Sequence, residues 1–477
     1  MTAPETRVES APREPKVTTT PQERRKVLVA TLVGTTVEWY DFFIYAFSAS
    51  LIFNKLFFSA LGPTGATLAS AASIGISFLF RPLGAFLAGH LGDRYGRKPV
   101  LVGTLILMGL ATALIGVLPT GEGIAGFSAV ALIILRILQG VSAGGEWGGA
   151  VLLAVETAEP GSRNRAGAWP QLGVPFGMLL ATGMLAVLQS TLGKEAFMEW
   201  GWRIPFLVSL LLVLIGYLVR RTVEDSPVFL EIAEKAKRSS APIGVVFGSH
   251  FLLVVFAALV FAGNNAVGYM LTGGVVAKYA GRPLEEGGAV GMDPAQVSLF
   301  LNISAIVWAI TTYLAGVIAD KTSAKTTFIV GYALQAICAA ALWPMVSAAG
   351  DNPMMLLLGA CLLAIPLGLT YGPLSAWYAE SFPASIRFSG VSITYAIGAI
   401  LGGAFAPLIV QAIFEATGGE WMWAAVYLVG MSLLGLLGSV MLPNRDQIPL
   451  GIDMEQSGAW KEWRAGDAVP QGVKSMH

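Results

Sequence analysis

Residues 27–53 read VLVATLVGTTVEWYDFFIYAFSASLIF, an apolar run whose only formal charges are Glu38 and Asp41. As a helix rising about 1.5 Å per residue it is about 40 Å long, more than the roughly 30 Å hydrocarbon core of a bilayer. The residues before it are polar and rich in Pro and Thr, with Arg24, Arg25 and Lys26 as a basic flank. The run is too long for the apolar part of a cleavable signal, so it is expected to act as an uncleaved insertion signal. Further apolar runs cover residues 66–91, 99–118, 126–154, 166–190 and 203–219. After a charged stretch come 243–279, 295–319, 326–348, 353–379, 388–414 and 421–442. Gly, Pro, Ser and Thr are scattered through the runs, and the two-residue alternation of a barrel strand is absent, so packed spanning helices are expected.

The expected fold is therefore an all-α membrane protein with twelve transmembrane helices in two six-helix bundles. An N-terminal tail (1–26) leads into the first bundle (27–220), and a linker (221–242) joins it to the second (243–442), which ends in a C-terminal tail (443–477). Composition agrees: of 477 residues 55% are hydrophobic and 13% charged, where a soluble domain carries about 25% charged residues. Mean hydropathy is +0.67. Cys338 and Cys361 both fall in apolar runs and read as small hydrophobes. The stretch 223–238 has a weak helical period and reads as a surface helix or a solvated linker. The C-terminal tail is expected to be disordered and is assigned no role.

Thirty Lys and Arg balance thirty Asp and Glu, so nothing suggests nucleic-acid binding. The placement is uneven: 23 of the 30 basic residues lie in the N-tail, the even-numbered connections and the C-tail. Basic loops stay cytoplasmic, so both termini are expected on the cytoplasmic side of a plasma membrane.

The two halves echo each other. Asp93 matches Asp320 at an offset of 227, Glu156 and Arg163 match Glu380 and Arg387 at 224, and Trp200 and Trp202 match Trp421 and Trp423 at 221. A steadily drifting offset is what two homologous six-helix halves produce. The connection GHLGDRYGRKP (Gly89–Pro99) sets Asp93, Arg94, Arg97 and Lys98 between spans 2 and 3, where a tight turn is expected. Carboxylates near helix N-termini and basic side chains reaching neighbouring helix ends suit a gate. Glu156, Arg163, Asp320, Glu380 and Arg387 are its expected counterparts. The simpler reading, that the basic residues only enforce topology, stays open.

These motifs together resemble the major facilitator superfamily, and within it the bacterial metabolite:proton symporter family. The residues that carry the resemblance are EWYDF (Glu38–Phe42), FRPLG (Phe80–Gly84), GDRYGRK (Gly92–Lys98), RILQGVSAGGEWGGA (Arg136–Ala150), GWRIPF (Gly201–Phe206), DSPVF (Asp225–Phe229) and YGPLSAWYAESFPASIRFSG (Tyr371–Gly390). Residues 320–325, DKTSAK, depart from the family's Gly-Arg-Arg pattern. The resemblance implies a monomeric proton-coupled carrier without cofactor or metal, located in the bacterial inner membrane. It implies substrates such as shikimate, dicarboxylates, proline or betaine.

Charged groups within spans are costly in lipid and mark pathways or paired sites. Glu38 and Asp41, at i and i+3, share one helical face, and Arg81 lies about 15 Å from the end of its span, level with Glu38. With Arg136 and Glu146 they form the expected proton-coupling set; a permanent packing network is the alternative. Arg136 and Glu146, ten residues apart on one helix, cannot bond directly. Arg203 sits at a span edge. The second half has no ionisable group deep in a span. Gln171, Asn264, Asn265, Tyr269 and Tyr395, with Arg136, are the expected substrate contacts, each neutral one open to the alternative of interhelical bonding; Asn302 and Gln335 are further amides within spans. The expected function is symport of a small organic acid or zwitterion by alternating access. A membrane-embedded enzyme would need a nucleophile–base pair or clustered metal ligands, absent among three histidines. A transporter-derived sensor would need a sizeable soluble domain.

Overall fold

The computed structural model describes residues 20–95, 97–220, 242–272, 274–286 and 288–470; residues 221–241, with the helix expected over 223–238, lie outside the described residues. Among the described residues ten helices are long and apolar enough to cross a membrane, and two shorter apolar helices complete twelve. Spans 1 to 6 are Pro21–Ser48, Ser59–Ala88, Val102–Gly116, Ala125–Glu156, Arg163–Gly193 and Arg203–Val219. Spans 7 to 12 are Phe251–Gly281, Pro294–Lys321, Ala324–Gly350, Met354–Ser381, Ala384–Thr417 and Trp421–Met441. Their starts carry ordinary capping signals. Thr20 and Glu23 form a capping box ahead of span 1, Asp293 caps span 8, and Ser323 caps span 9.

Helix neighbours repeat between the halves. Span 1 packs on 5 and 6, span 2 on 4, and span 3 on 4 and 6; adding six to every number gives the pairing of the second half. Lipid tails are as apolar as leucine, so close backbone approach has to supply much of the contact energy. Small residues allow it. A Cβ on Gly84 would strike the Val141 carbonyl, and one on Gly140 or Gly144 would strike the carbonyls of Ser77 and Arg81, which seats span 4 on span 2. In the second half Gly402 stands in the same way against Ala262.

Outward faces are apolar. Phe127, Val130 and Ile134 are 68%, 61% and 52% exposed at helical spacing, and Ile306, Ile310 and Leu314 make a similar stripe on span 8. Such continuous apolar stripes need lipid against them.

Several spans are broken at mid-depth. Span 5 divides into Arg163–Gln171 and Gly173–Ala196, span 10 into Met354–Leu369 and Leu374–Ser381, and span 11 contains a π-helical turn at Ile400–Ala404. Pro170, Pro366 and Pro373 lie at or beside the first two breaks. Each break frees carbonyls that side chains can use.

The start of span 1, the 4–5 and 10–11 connections and the C-terminal segment gather on one side, the terminal face. Residues 443–467 depart from the expectation of disorder. Ile448, Leu450, Met454, Trp460 and Trp463 are buried, and Arg445 stacks on Trp460 with its guanidinium carbon 3.9 Å from the ring centre. The composition is polar, but five apolar side chains find a surface that exists only after both bundles have folded. Burial pushes the Arg445 guanidinium down to about 10, so it stays charged at neutral pH, and pushes the Asp446 carboxyl up from its ordinary value.

Candidate functional site

The first half holds a chain of buried polar groups. Thr112 of span 3 donates to Asp41 Oδ2 (2.9 Å), Gln139 of span 4 donates to Thr112 Oγ1 (2.8 Å), and Arg136 donates to Gln139 Oε1 (2.7 Å). Arg136 also donates to the carbonyls of Ser73 (3.3 Å) and Ile74 (3.0 Å) and to Ser77 Oγ (2.7 Å), all on span 2. Its guanidinium carbon lies 3.7 Å from the Tyr45 ring centre. Arg136 is thus engaged on every side, and its link to Asp41 runs through two neutral side chains. Thr112 and Gln139 are functional candidates that residue-type reasoning missed. A search for amides and hydroxyls at i+3 from the in-span arginine would have found Gln139; Thr112, on another span, has no such signal.

Asp41 is wholly buried, and its Oδ1 has no hydrogen-bond partner among the described residues. It lies within electrostatic range of Glu38 and Glu146, both buried. With all ionised, three carboxylates face two guanidiniums, Arg81 and Arg136, and one added proton brings the group to neutrality. Arg81 stacks on Phe78 with its guanidinium carbon 4.4 Å from the ring centre and lies 5.7 Å from that of Trp39. Arg81 and Glu38 both act electrostatically on Tyr269 and Tyr395 of the second half. Arg203, by contrast, caps span 3: it donates to the carbonyls of Gly116 (2.9 Å) and Leu118 (2.6 Å), a basic side chain on a helix C-terminus.

Between the halves lies a narrow cavity whose walls include Trp39, Asn265, Tyr269, Trp308 and Tyr371. Tyr269 Oη, Asn265 Nδ2 and Trp308 Nε1 on its wall are buried without hydrogen-bond partners among the described residues, while Tyr395 beside it interacts with Tyr371 and Arg81. Buried polar groups are normally paired, so such groups are available to a ligand. Asn264 differs: it donates to Leu367 O (3.2 Å) and Thr370 Oγ1 (2.7 Å) at the break in span 10, and Gln335 joins that knot. Gln171 accepts from Trp147 Nε1 (3.2 Å) and donates to Tyr371 O (3.4 Å), so it bridges the halves. Thr182 and Asn302 also bond across the halves. Among the described residues no three His, Cys, Asp or Glu side chains are grouped to hold a metal ion.

On the terminal side the cavity is closed by a stack, with ring centres 3.6 Å apart for Trp147 and Tyr395 and 4.0 Å for Tyr395 and Phe261. At the face itself Arg163 pairs with Glu380 at 3.0 Å and Arg387 with Glu156 at 3.7 Å, a crossed pair related by the internal repeat. Asp320 accepts the backbone N–H groups of Asn164 (2.9 Å) and Arg165 (3.1 Å), so the end of span 8 caps span 5 of the other half. The side chains of Asp93, Arg94, Arg97 and Lys98 lie outside the described residues; the backbone there is helical on both sides of Gly96 where a tight turn was expected. The C-terminal segment completes the closure. Gln447 N donates to Glu380 Oε1 (3.0 Å), Arg163 donates to Ile448 O (2.7 Å), and Arg387 donates to Leu450 O (2.8 Å).

The family model described as Major Facilitator Superfamily matches residues 31–387 and 283–465. The chain belongs to the major facilitator superfamily. The inner membrane metabolite transport protein YhjE of Escherichia coli K12 is 38% identical over 81% of this chain and 87% of its own length. The shikimate transporter of the same organism is 32% identical over 88% of this chain and 94% of its own. Among solved structures, the proton:xylose symporter XylE bound to 6-bromo-6-deoxy-D-glucose superposes with a TM-score of 0.73 at 19% identity, covering 92% of this chain and 99% of that one. The superfamily fold of two six-helix bundles accounts for the repeated helix neighbours. This member of the superfamily is closed on the terminal face.

Proposed function

We propose that this transporter couples import of a small organic acid or zwitterion to proton entry by alternating access, with the terminal face cytoplasmic. The observation that carries the reading is the hydrogen-bonded line from Asp41 through Thr112 and Gln139 to Arg136. Thr112 has one hydroxyl proton and two acceptors at 2.9 Å, Asp41 Oδ2 and Met108 O. When Asp41 takes up a proton it becomes a donor, the Thr112 hydroxyl turns to Met108 O, and the same oxygen accepts from Asp41 and Gln139. Protonation is thereby absorbed with the Thr112 and Asp41 hydroxyl protons both donated.

Arg136 is held by span 2 and stacked on Tyr45, which favours a structural and electrostatic role over direct substrate contact. Arg81, beside the cavity, is the better partner for a substrate carboxylate. Tyr269, Asn265 and Trp308 supply the donors that remain. Gln171 and Asn264 shape the cavity through the backbone of span 10. Export of the substrate back to the outside is prevented while the terminal-face pairs stand open and the opposite side is closed.

The charge moved discriminates the substrate class. A zwitterion carried with one proton moves one positive charge and gains about 2.3 kcal/mol per 100 mV, or about fifty-fold accumulation. A monoanion with one proton moves no net charge and runs on the proton gradient alone. The test is substrate-driven alkalinisation of the outer medium in proteoliposomes, screened over organic acids and betaines and read alongside transient current. Asp41→Asn is expected to abolish proton movement and uphill uptake while leaving counterflow exchange. Uptake with no proton flux for every transported substrate overturns the coupling claim.

A further inference from the structure

Apart from the central cavity, the terminal face carries a pocket of about 260 Å³. Its polar wall is formed by Arg24 and Arg25 at the start of span 1 and Arg165 at the start of span 5. Glu159 is the one acidic lining side chain and pairs with Arg24. Three guanidiniums against one carboxylate leave a net charge of about two, and Arg25 and Arg165 both line the pocket and are exposed. Arg165 is also fixed in place, because its backbone N–H is held by Asp320 at 3.1 Å.

The other wall is apolar and aromatic: Leu28 and Trp169 come from the first half, and Tyr313 from span 8 of the second. Tyr313 stands at i+3 from Ile310 and i+7 from Ile306, which are 55% and 49% exposed on the outward face of span 8. A basic head therefore leads into an apolar track that runs down toward mid-membrane. Arg24 and Arg25 precede the first buried residue of span 1, Val27, which sets them at headgroup depth. Trp and Tyr are the side chains suited to that boundary.

We propose that this pocket binds the phosphate headgroup of an anionic phospholipid, with an acyl chain along the Tyr313–Ile306 face. A phosphodiester meets the planar guanidiniums by charge-assisted hydrogen bonds, and only an amphiphile uses the apolar wall. A free phosphate would satisfy the arginines and leave that wall to water. The walls come from both halves, so the bound lipid clasps the closed terminal face.

The test is native mass spectrometry of the full-length transporter equilibrated with dioleoyl-phosphatidylglycerol or dioleoyl-phosphatidylethanolamine. The wild type is expected to retain phosphatidylglycerol preferentially. Each of Arg25→Gln and Arg165→Gln is expected to lower that retention about fivefold, and the double variant about thirtyfold. Lys461→Gln, an exposed charge outside the pocket, is expected to leave it unchanged. Equal loss in the Lys461 variant, or no loss in the double variant, overturns the proposal. Displacement of the lipid by millimolar inorganic phosphate overturns it as well, because the site then belongs to a soluble anion. Each variant's thermal unfolding is read alongside, and Arg25→Lys and Arg165→Lys, which keep the charge, are expected to restore retention if either glutamine variant unfolds early.

Discussion

Replacing Glu380 with Gln tests how the terminal face is held shut. The carboxylate is wholly buried, bonds Arg163 across the halves at 3.0 Å, and accepts the Gln447 N–H at the same distance. Removing one partner of a buried pair costs about 3–5 kcal/mol. Glutamine keeps an oxygen for Gln447, and Arg163 keeps the Ile448 carbonyl at 2.7 Å, so the lower end, about 3 kcal/mol, is expected. All of that loss falls on the state in which the halves touch, and the opening equilibrium shifts by about 150-fold. The readout is alkylation of Ser375→Cys in a Cys338→Ala, Cys361→Ala background. Ser375 is buried against Gly167 at the seam between spans 10 and 5, so its thiol reacts only when that seam parts. Alkylation is expected to accelerate by about two orders of magnitude in Glu380→Gln. Glu156→Gln is the comparator. Its pair is equally buried but spans 3.7 Å, beyond direct hydrogen-bond distance, and Arg387 retains the carbonyls of Ala379, Phe382 and Leu450, so a smaller effect, about fivefold, is expected. A change below fivefold in Glu380→Gln, or equal effects in the two variants, refutes the assignment of closure to the Arg163–Glu380 pair.

Ending the chain at Leu442 removes the Ile448 and Leu450 carbonyls from Arg163 and Arg387; hydrogen bonds to charged groups contribute about 1.5–3 kcal/mol each, and the same thiol is expected to react at least ten times faster. A truncated protein with wild-type alkylation would show that the segment only rests on the surface. Gly144→Val drives a side chain into the Arg81 carbonyl and is expected to cost about 1–3 kcal/mol or more, lowering the detergent-solubilised melting temperature by several degrees. Gly183→Ala, with no atom within 4 Å of the new Cβ, is expected to leave the temperature unchanged or raise it. Tyr269→Phe deletes a hydroxyl that has no partner among the described residues; unchanged thermal stability with KM raised about tenfold is expected if that hydroxyl meets substrate, and an unchanged KM removes Tyr269 from the site.

The halves of the site were unequally legible. Glu38, Asp41, Arg81 and Arg136 stand out because charge in an apolar run is costly and therefore rare, and the crossed pairing of Arg163 with Glu380 and Arg387 with Glu156 follows from the internal repeat. Asn264 and Asn265 are adjacent and chemically identical, yet one is consumed at the break in span 10 while the other points a free amide into the cavity. That difference depends on which carbonyls the break exposes. Arg203 looked like a membrane-edge charge and is a helix cap, because Gly116 and Leu118 end their span beside it.

By itself the sequence determined that this is a helical membrane protein of two related halves, since burying backbone polar groups in lipid leaves helices as the solution for long apolar runs and the repeat offsets survive in one dimension. Only the tertiary structure decided which polar groups are spent on the protein and which remain for a ligand or proton. Only it decided, too, that residues 443–467 lie folded beneath both bundles. Hydrogen-bond satisfaction and the fit of one surface on another depend on atoms far apart in the chain, and local pattern carries no record of them.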